Sequence, residues 1–459
     1  MTLFNKNEKI YRNNNKTFMN INVTALQIVG LWPNINIPPK YEWIKMIYVY
    51  YGWTFFVVNV LNVATQIADI AYTWGDLENL AANGGVTLMY IACILKQLNF
   101  FIYRRKIAEM VENIQNGFFS DSLTWDDERN RIANSSNKFA LTVSWTYFGV
   151  TACTVGTFIL GGFLSSYPEI FGVEPLMVGN QTIKVLPLKE VFPFDIQKRG
   201  LFEIAFIFQF ILLTLGPLLN AGMDNCMTSL IVHCCAQFKI LKYALRNIDK
   251  RAYVLLGYEK TDETEDSNFT AKANDGEISN LTTNKLEYGE RFPERVNEKA
   301  YKCLRECIQH HQNVLEFFDD LRNVLSMYLF GQFLCSTSVL CLILFYIGMG
   351  VESENGFAEK VGFYQLFVTA TMQILMYCWF GNDLTYESDS LTKAMYDSPW
   401  YEASVEYRKN LCIMMARTVK LCYLTGGQLY IASLETFRSI MGASFSYYTV
   451  LSSMKVEEN

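Results

Sequence analysis

The sequence predicts an all-α membrane protein with seven transmembrane helices, a cytoplasmic N-terminus, an extracellular C-terminus and helical anchor extensions on the cytoplasmic side. Three observations predict it. Five runs that are both uncharged and predominantly apolar are 20 residues or longer, at 46–68, 139–168, 204–223, 323–351 and 361–382. A hydrocarbon core about 30 Å thick takes about 20 apolar residues as helix. Only 18% of the 459 residues are charged, against 51% apolar, whereas soluble chains carry about 25% charge. Lys and Arg also segregate: segments 1–43, 104–138, 239–322 and 384–420 hold 30, and 165–198, Lys360 and Lys455 hold 5. Without the long loop the balance is still 16 to 5, and the positive-inside rule places the richer set in the cytoplasm.

Along the chain, residues 1–43 read as a cytoplasmic segment without a signal peptide. Its apolar stretch 25–32 reads as a short interfacial helix. Transmembrane helices 1–4 fall within 44–238. The second is one of two weaker spans, because its uncharged run 80–95 stops at Lys96 and resumes at 97–103. Residues 239–326 form a cytoplasmic loop with helical extensions. Within it, about 250–297 is expected to be disordered, since stretches such as Lys260-Thr-Asp-Glu-Thr-Glu-Asp266 bury too little to offset chain entropy. Helices 5 and 6 occupy 327–383, a cytoplasmic anchor helix 384–425, and the seventh span 426–454. This last span is the second weaker one, interrupted by Glu435 and Arg438.

Several function classes are excluded. A net charge of −6 leaves no basic footprint for nucleic acid. No phosphate-cradling glycine loop, zinc-protease motif or nucleophile elbow is present, so neither enzyme chemistry nor a cofactor is expected. The histidines are three, and the adjacent His310 and His311 read as a solvated pair rather than a metal site. All 12 cysteines lie in spans or cytoplasmic segments, which implies no disulfide framework.

The last span carries the most informative pattern. Ala432, Thr436, Ser439, Ala443, Ser446, Val450 and Met454 share one helical stripe, small and hydroxylic until its apolar outer end. One reading is helix packing through small residues. The other is a pore-lining face, with hydroxyls solvating ions and an apolar ring closing by dewetting. One chain supplies one such helix, so a pore requires several subunits around an axis.

Tyr377-Cys-Trp-Phe-Gly-Asn-Asp-Leu384, Ala394-Met-Tyr396, Trp400-Tyr401, Ser433-Leu-Glu-Thr-Phe437 and Ser446-Tyr-Tyr-Thr-Val-Leu451 resemble the insect odorant receptor family, as do Leu31-Trp-Pro33 and Phe192-Pro-Phe-Asp195. The likeness covers most of the chain, with its specific motifs in roughly 370–454. Phe380-Gly-Asn382 is similar to the olfactory coreceptor, but the acidic cytoplasmic loop is not, which favours a tuning receptor. The resemblance implies an odorant-gated, non-selective cation channel. In it, small volatile ligands bind the outer half, and the chain joins coreceptor subunits in a heterotetramer. It also implies a multi-pass protein in contact with membrane lipid, in the plasma membrane of olfactory neuron dendrites.

Carried onto this chain, the pore and gate fall on Ser439, Ser446, Val450 and Met454. The pocket falls on Val86, Met89 and Tyr90 of the second span, Tyr147, Thr151, Thr154 and Phe158 of the third, Phe202, Phe206, Gln209 and Phe210 of the fourth, and Tyr364, Phe367 and Thr371 of the sixth. At about 0.8 kcal/mol per buried CH₂ an eight-carbon volatile gains about 6 kcal/mol. Micromolar affinity needs about 8, so a hydrogen bond or aromatic contact would supply the remainder. Three alternatives stay open: a gustatory receptor-type channel, a seven-span receptor signalling through a G protein, and a transporter. The inverted orientation opposes the G-protein reading. The weak signal for midplane charge, with Asp69, Lys96 and Glu203 near span ends, opposes the transporter.

Overall fold

A computed structural model describes residues 19–32, 42–115, 126–167, 177–260 apart from 179, 180, 183, 185 and 199, 269–271, 292–349 and 356–458. Its helices are α1 (Asn20–Ile28), α2 (Glu42–Tyr72), α3 (Leu77–Gln115), α4 (Asp126–Ser166), α5 (Leu201–Arg246), α6 (Ile248–Leu255), α7 (Glu294–Gly348), α8 (Gly356–Tyr396), α9 (Val405–Thr418) and α10 (Leu434–Glu458). Among the described residues, α2, α3, α4, α5, α7 and α8 are long and apolar enough to cross a membrane. The described residues also form three two-stranded antiparallel pairs, β1–β2 (Met177–Val178, Gln181–Thr182), β3–β4 (Tyr258–Lys260, Phe269–Ala271) and β5–β6 (Thr425–Gly426, Tyr430–Ile431).

The centre of the bundle is α7. Its 55 residues extend about 80 Å at 1.5 Å per residue, far more than the ~30 Å hydrocarbon core. It packs against α3, α5, α6, α8 and α10, which bury most of its girth from Val296 to Tyr346 and leave one stripe, through Lys302, Arg305, Met327 and Leu334, exposed. That surrounding corrects one expectation. His310 and His311 point to different sides of α7, yet both are buried, because neighbours cover both sides. Among the described residues no cluster of three metal-ligating side chains exists.

Other boundaries also shift. The short helix α1 docks on α5: the Asn22 amide donates to the Asn225 carbonyl at 3.2 Å and to Ser229 Oγ at 2.9 Å, and Leu26 is fully buried. The stretch expected to be disordered is ordered at both ends by α6 and the start of α7; residues 261–268 and 272–291 lie outside the described set. The anchor is not one helix over 384–425. It is the continuation of α8 to Tyr396, a turn, and α9. The last helix, α10, starts at Leu434 rather than at the expected 426, because 425–431 form the β5–β6 hairpin, seated on α7 by the Gly427 N–H donating to the Ser326 carbonyl at 2.9 Å.

Candidate functional site

Four helices enclose a cavity of about 90 Å³. Its lining follows helical spacing on each: Val86, Met89, Tyr90 and Cys93 on α3; Tyr147, Thr151, Thr154, Val155 and Phe158 on α4; Leu213, Gly216, Pro217 and Asn220 on α5; Leu366 and Thr369 on α8. These are i, i+3, i+4 and i+7 faces, each turning one stripe inward. Thr154 and Thr369 share a hydrogen bond of 2.9 Å between α4 and α8. Pro217 lacks the N–H that would bond to the Leu213 carbonyl one turn earlier, so two lining residues border a gap in the helical ladder.

Residues 186–190 form a strap beside the cavity. Leu188 reaches the cavity, and the Gln209 side chain holds its backbone on both sides. Leu188 N–H donates to Gln209 Oε1 at 3.0 Å, and Gln209 Nε2 donates to the Leu188 carbonyl at 2.9 Å. Pro187 lies against Gly162 so closely that a Cβ there would meet its Cγ at 2.4 Å. Gln66 of α2 donates to Glu190 Oε1 at 3.1 Å, and Lys189 Nζ donates to Asn79 Oδ1 of α3 at 2.5 Å. The strap is therefore tied to α2, α3, α4 and α5.

Burial pushes the Glu190 carboxyl from 4.5 up to about 7, against hydrogen bonds from Gln66 and Gln209 and with help from nearby Asp69. A raised carboxylate favours the packed state most below about pH 4.5, where both the packed and the released forms are neutral. The advantage falls as pH rises to about 7 and then levels off. Relative to Glu190→Gln, the wild-type melting temperature should fall between pH 4.5 and 7 and stay level above. Parallel pH profiles would contradict this.

Beneath the cavity lies a buried polar knot. Lys96 Nζ donates to Asp224 Oδ1 at 2.8 Å and Oδ2 at 3.0 Å, and to Asn220 Oδ1 at 2.9 Å. The Lys96 and Asp224 side chains are 2% and 0% exposed. Asp224 also accepts from Tyr328 Oη at 2.6 Å, Tyr377 Oη at 2.7 Å, Gln373 Nε2 and, more weakly, Tyr147 Oη at 3.4 Å. One carboxylate thus ties together α3, α4, α5, α7 and α8, and cavity-lining Tyr147 and Asn220 connect it to the space above. Such a charge is tolerable only when paired and fully hydrogen-bonded.

Seven of the pocket residues expected from sequence meet at this cavity: Val86, Met89, Tyr90, Tyr147, Thr151, Thr154 and Phe158. The remainder lie elsewhere. Phe202 and Phe206 join Tyr167 in an outer aromatic cluster, with Lys184 Nζ 4.9 Å from the Phe202 ring centre. Gln209 holds the strap. Phe210 and Tyr364 are exposed on the outside of the bundle. Phe367 packs on the main core, and Thr371 lies off the cavity. The strap occupies the level of Gln209, so α5 lines the cavity only from Leu213 onward. On α8 the inward face passes through Leu366 and Thr369, a register that sequence spacing alone does not set.

Helix α10 packs on α7 and α8, with Ser444 Oγ donating to the Thr337 carbonyl at 3.3 Å. Ser439, Ser446 and Val450 lie on its exposed face. Met454 belongs to the helix, but its side chain lies outside the described residues.

Residues 76–445 match the family model described as 7tm Odorant receptor. The chain is 22% identical over 413 residues to Odorant receptor 2a of Drosophila melanogaster, covering 89% of this chain and 90% of that protein. It is 21% identical over 487 residues to the Odorant receptor coreceptor of Aedes albopictus, covering 93% and 98%. Its fold is similar to that of the insect olfactory receptor OR5 from Machilis hrabei in complex with eugenol, with a TM-score of 0.70, 14% identity and coverage of 95% and 97%. A match spanning most of the chain, on a bundle of membrane-length helices around a cavity, makes this chain a member of the 7tm odorant receptor family, a family of receptors rather than enzymes.

Proposed function

We propose that the chain is a tuning odorant receptor: a subunit of a ligand-gated, non-selective cation channel in the plasma membrane of olfactory neuron dendrites. The observation that carries this reading is the apolar cavity among α3, α4, α5 and α8, bordered by the strap. Apolar enclosure with few polar groups suits a small volatile. The neighbour of matching fold was solved with eugenol bound, a small aromatic compound of the expected kind. In this reading α10 is the seventh span, the N-terminus is cytoplasmic and the C-terminus is extracellular. Four subunits, this chain with coreceptor subunits, set their α10 helices around one axis, with Ser439 and Ser446 facing the ion path and Val450 and Met454 closing it.

Ligand binding opens the path only to the extent that the cavity binds more tightly in the open state. The chain expressed with coreceptor and with G-protein signalling blocked should give fast cation current to volatiles. It should give none when expressed alone. Volatile-evoked current that disappears with the G-protein block would overturn the channel reading. Current from the chain alone would overturn the tuning-subunit assignment.

A further inference from the structure

The cavity presents two polar groups that the fold itself does not use. The Tyr90 hydroxyl is buried in a side chain only 8% exposed, and no described residue hydrogen-bonds to it. The Thr151 hydroxyl, on the opposite helix, is likewise buried without a partner. Both residues line the cavity. The Tyr90 ring is set by close packing: it lies across Gly216, where a Cβ would meet its Cε1 at 3.2 Å and its Oη at 3.9 Å. The other hydroxyls that line the cavity, and the Asn220 oxygen, are used by the fold. Thr154 pairs with Thr369, Asn220 Oδ1 accepts from Lys96, and Tyr147 Oη donates to Asp224.

A buried hydroxyl with no partner costs stability, and natural interiors leave few such groups without a reason. Resting on the odorant-receptor reading above, we infer that Tyr90 and Thr151 read the ligand: the cavity takes compact, uncharged volatiles bearing an acceptor oxygen, carbonyl or ether, that accepts from Tyr90 Oη and Thr151 Oγ1. A carbonyl oxygen has two lone pairs and serves both donors. Apolar neighbours such as Met89, Phe158, Leu213 and Leu366 hold the hydrocarbon remainder. They penalise carboxylate ligands, which lose hydration without gaining a cation, since Lys96 is already paired with Asp224. Tyr90 is a specificity residue, because it decides which oxygen-bearing ligands gain over hydrocarbons of equal size.

The test uses the receptor co-expressed with coreceptor and a series of straight-chain 2-ketones of six to nine carbons with the matching n-alkanes. Wild type should respond to ketones at concentrations at least tenfold below those for alkanes. Tyr90→Phe should cost ketones about tenfold in potency and leave alkanes unchanged, a loss in keeping with one hydrogen bond. Thr151→Val should reduce ketone potency in the same direction. In the purified, ligand-free protein Tyr90→Phe should not lower the melting temperature, since the hydroxyl has no structural partner to lose.

An unchanged ketone-to-alkane ratio in Tyr90→Phe overturns the inference while leaving the odorant-receptor reading intact. So does a response confined to volatiles without an acceptor oxygen. A melting temperature lowered by several degrees overturns it without any ligand. Silence of the surface-expressed complex to the whole ketone series also overturns it. The response to a broad volatile panel then tells whether the underlying reading has failed as well.

Discussion

Asp224→Ala should be among the most damaging single substitutions in the chain. It strands the Lys96 ammonium, which is 2% exposed and bonded to that carboxylate through both oxygens, and removes the acceptor shared by Tyr328, Tyr377 and Gln373. Breaking a buried pair from one side costs about 3–5 kcal/mol. Surface expression should collapse, and the detergent-solubilised protein should melt well below wild type. Lys96→Met in the Asp224→Ala background should restore part of the loss, because no unpaired charge then remains. The double-mutant cycle should therefore show strong coupling between the two sites. Losses that simply add would mean that the pair is not the element holding these five helices together.

Val450→Ala should raise the resting current several-fold in receptor–coreceptor complexes. Within the chain, Val450 is 55% exposed on the face of α10 that turns away from α7 and α8, next to Ser446 one turn below. In the proposed tetramer this face lines the ion path, where an apolar constriction blocks conduction by excluding water. A smaller side chain widens and wets the constriction. Phe445 is also exposed on α10, 58%, but five residues away it lies on a different side of the helix, so Phe445→Ala should leave the resting current near wild type. Equal effects of the two substitutions, or none from Val450→Ala, would place the constriction elsewhere.

How far the sequence carried these assignments follows from the physics of each element. The long spans were legible because uncharged runs of 20 or more residues need no tertiary context. The pocket faces of α3 and α4 were legible because helical spacing selects one stripe. The polar knot was not. Counting uncharged residues ends a span at each charge, so Lys96 and Asp224 both looked like boundaries, although α3 runs on to Gln115 and α5 to Arg246. Two opposite charges that neutralise each other inside a bundle have the same one-dimensional signature as two span ends. The strap was missed for a related reason: nothing in the pair Leu186-Pro187 shows that Gln209, some twenty residues later, bonds to both backbone groups of Leu188. Gln209 was expected among the pocket residues of its helix, and in the fold its side chain holds the strap instead of lining the cavity. His310 and His311 show the limit of local pattern most plainly, because whether both sides of a helix are covered depends on how many neighbours surround it.

The central claim is that a volatile bound among α3, α4, α5 and α8 opens the channel, and filling that space tests it most directly. Gly216 lines the cavity with room for a Cβ only 3.2 Å from the Tyr90 ring, so Gly216→Val removes volume where the ligand would lie. The measurement is the current concentration–response of Gly216→Val and wild type to the same 2-ketone series, each with coreceptor and matched surface expression. The account predicts a potency loss of about tenfold or more, steepest for the longest ketone, with resting current unchanged. Equal potency across the series would contradict it and place the gating ligand outside this cavity.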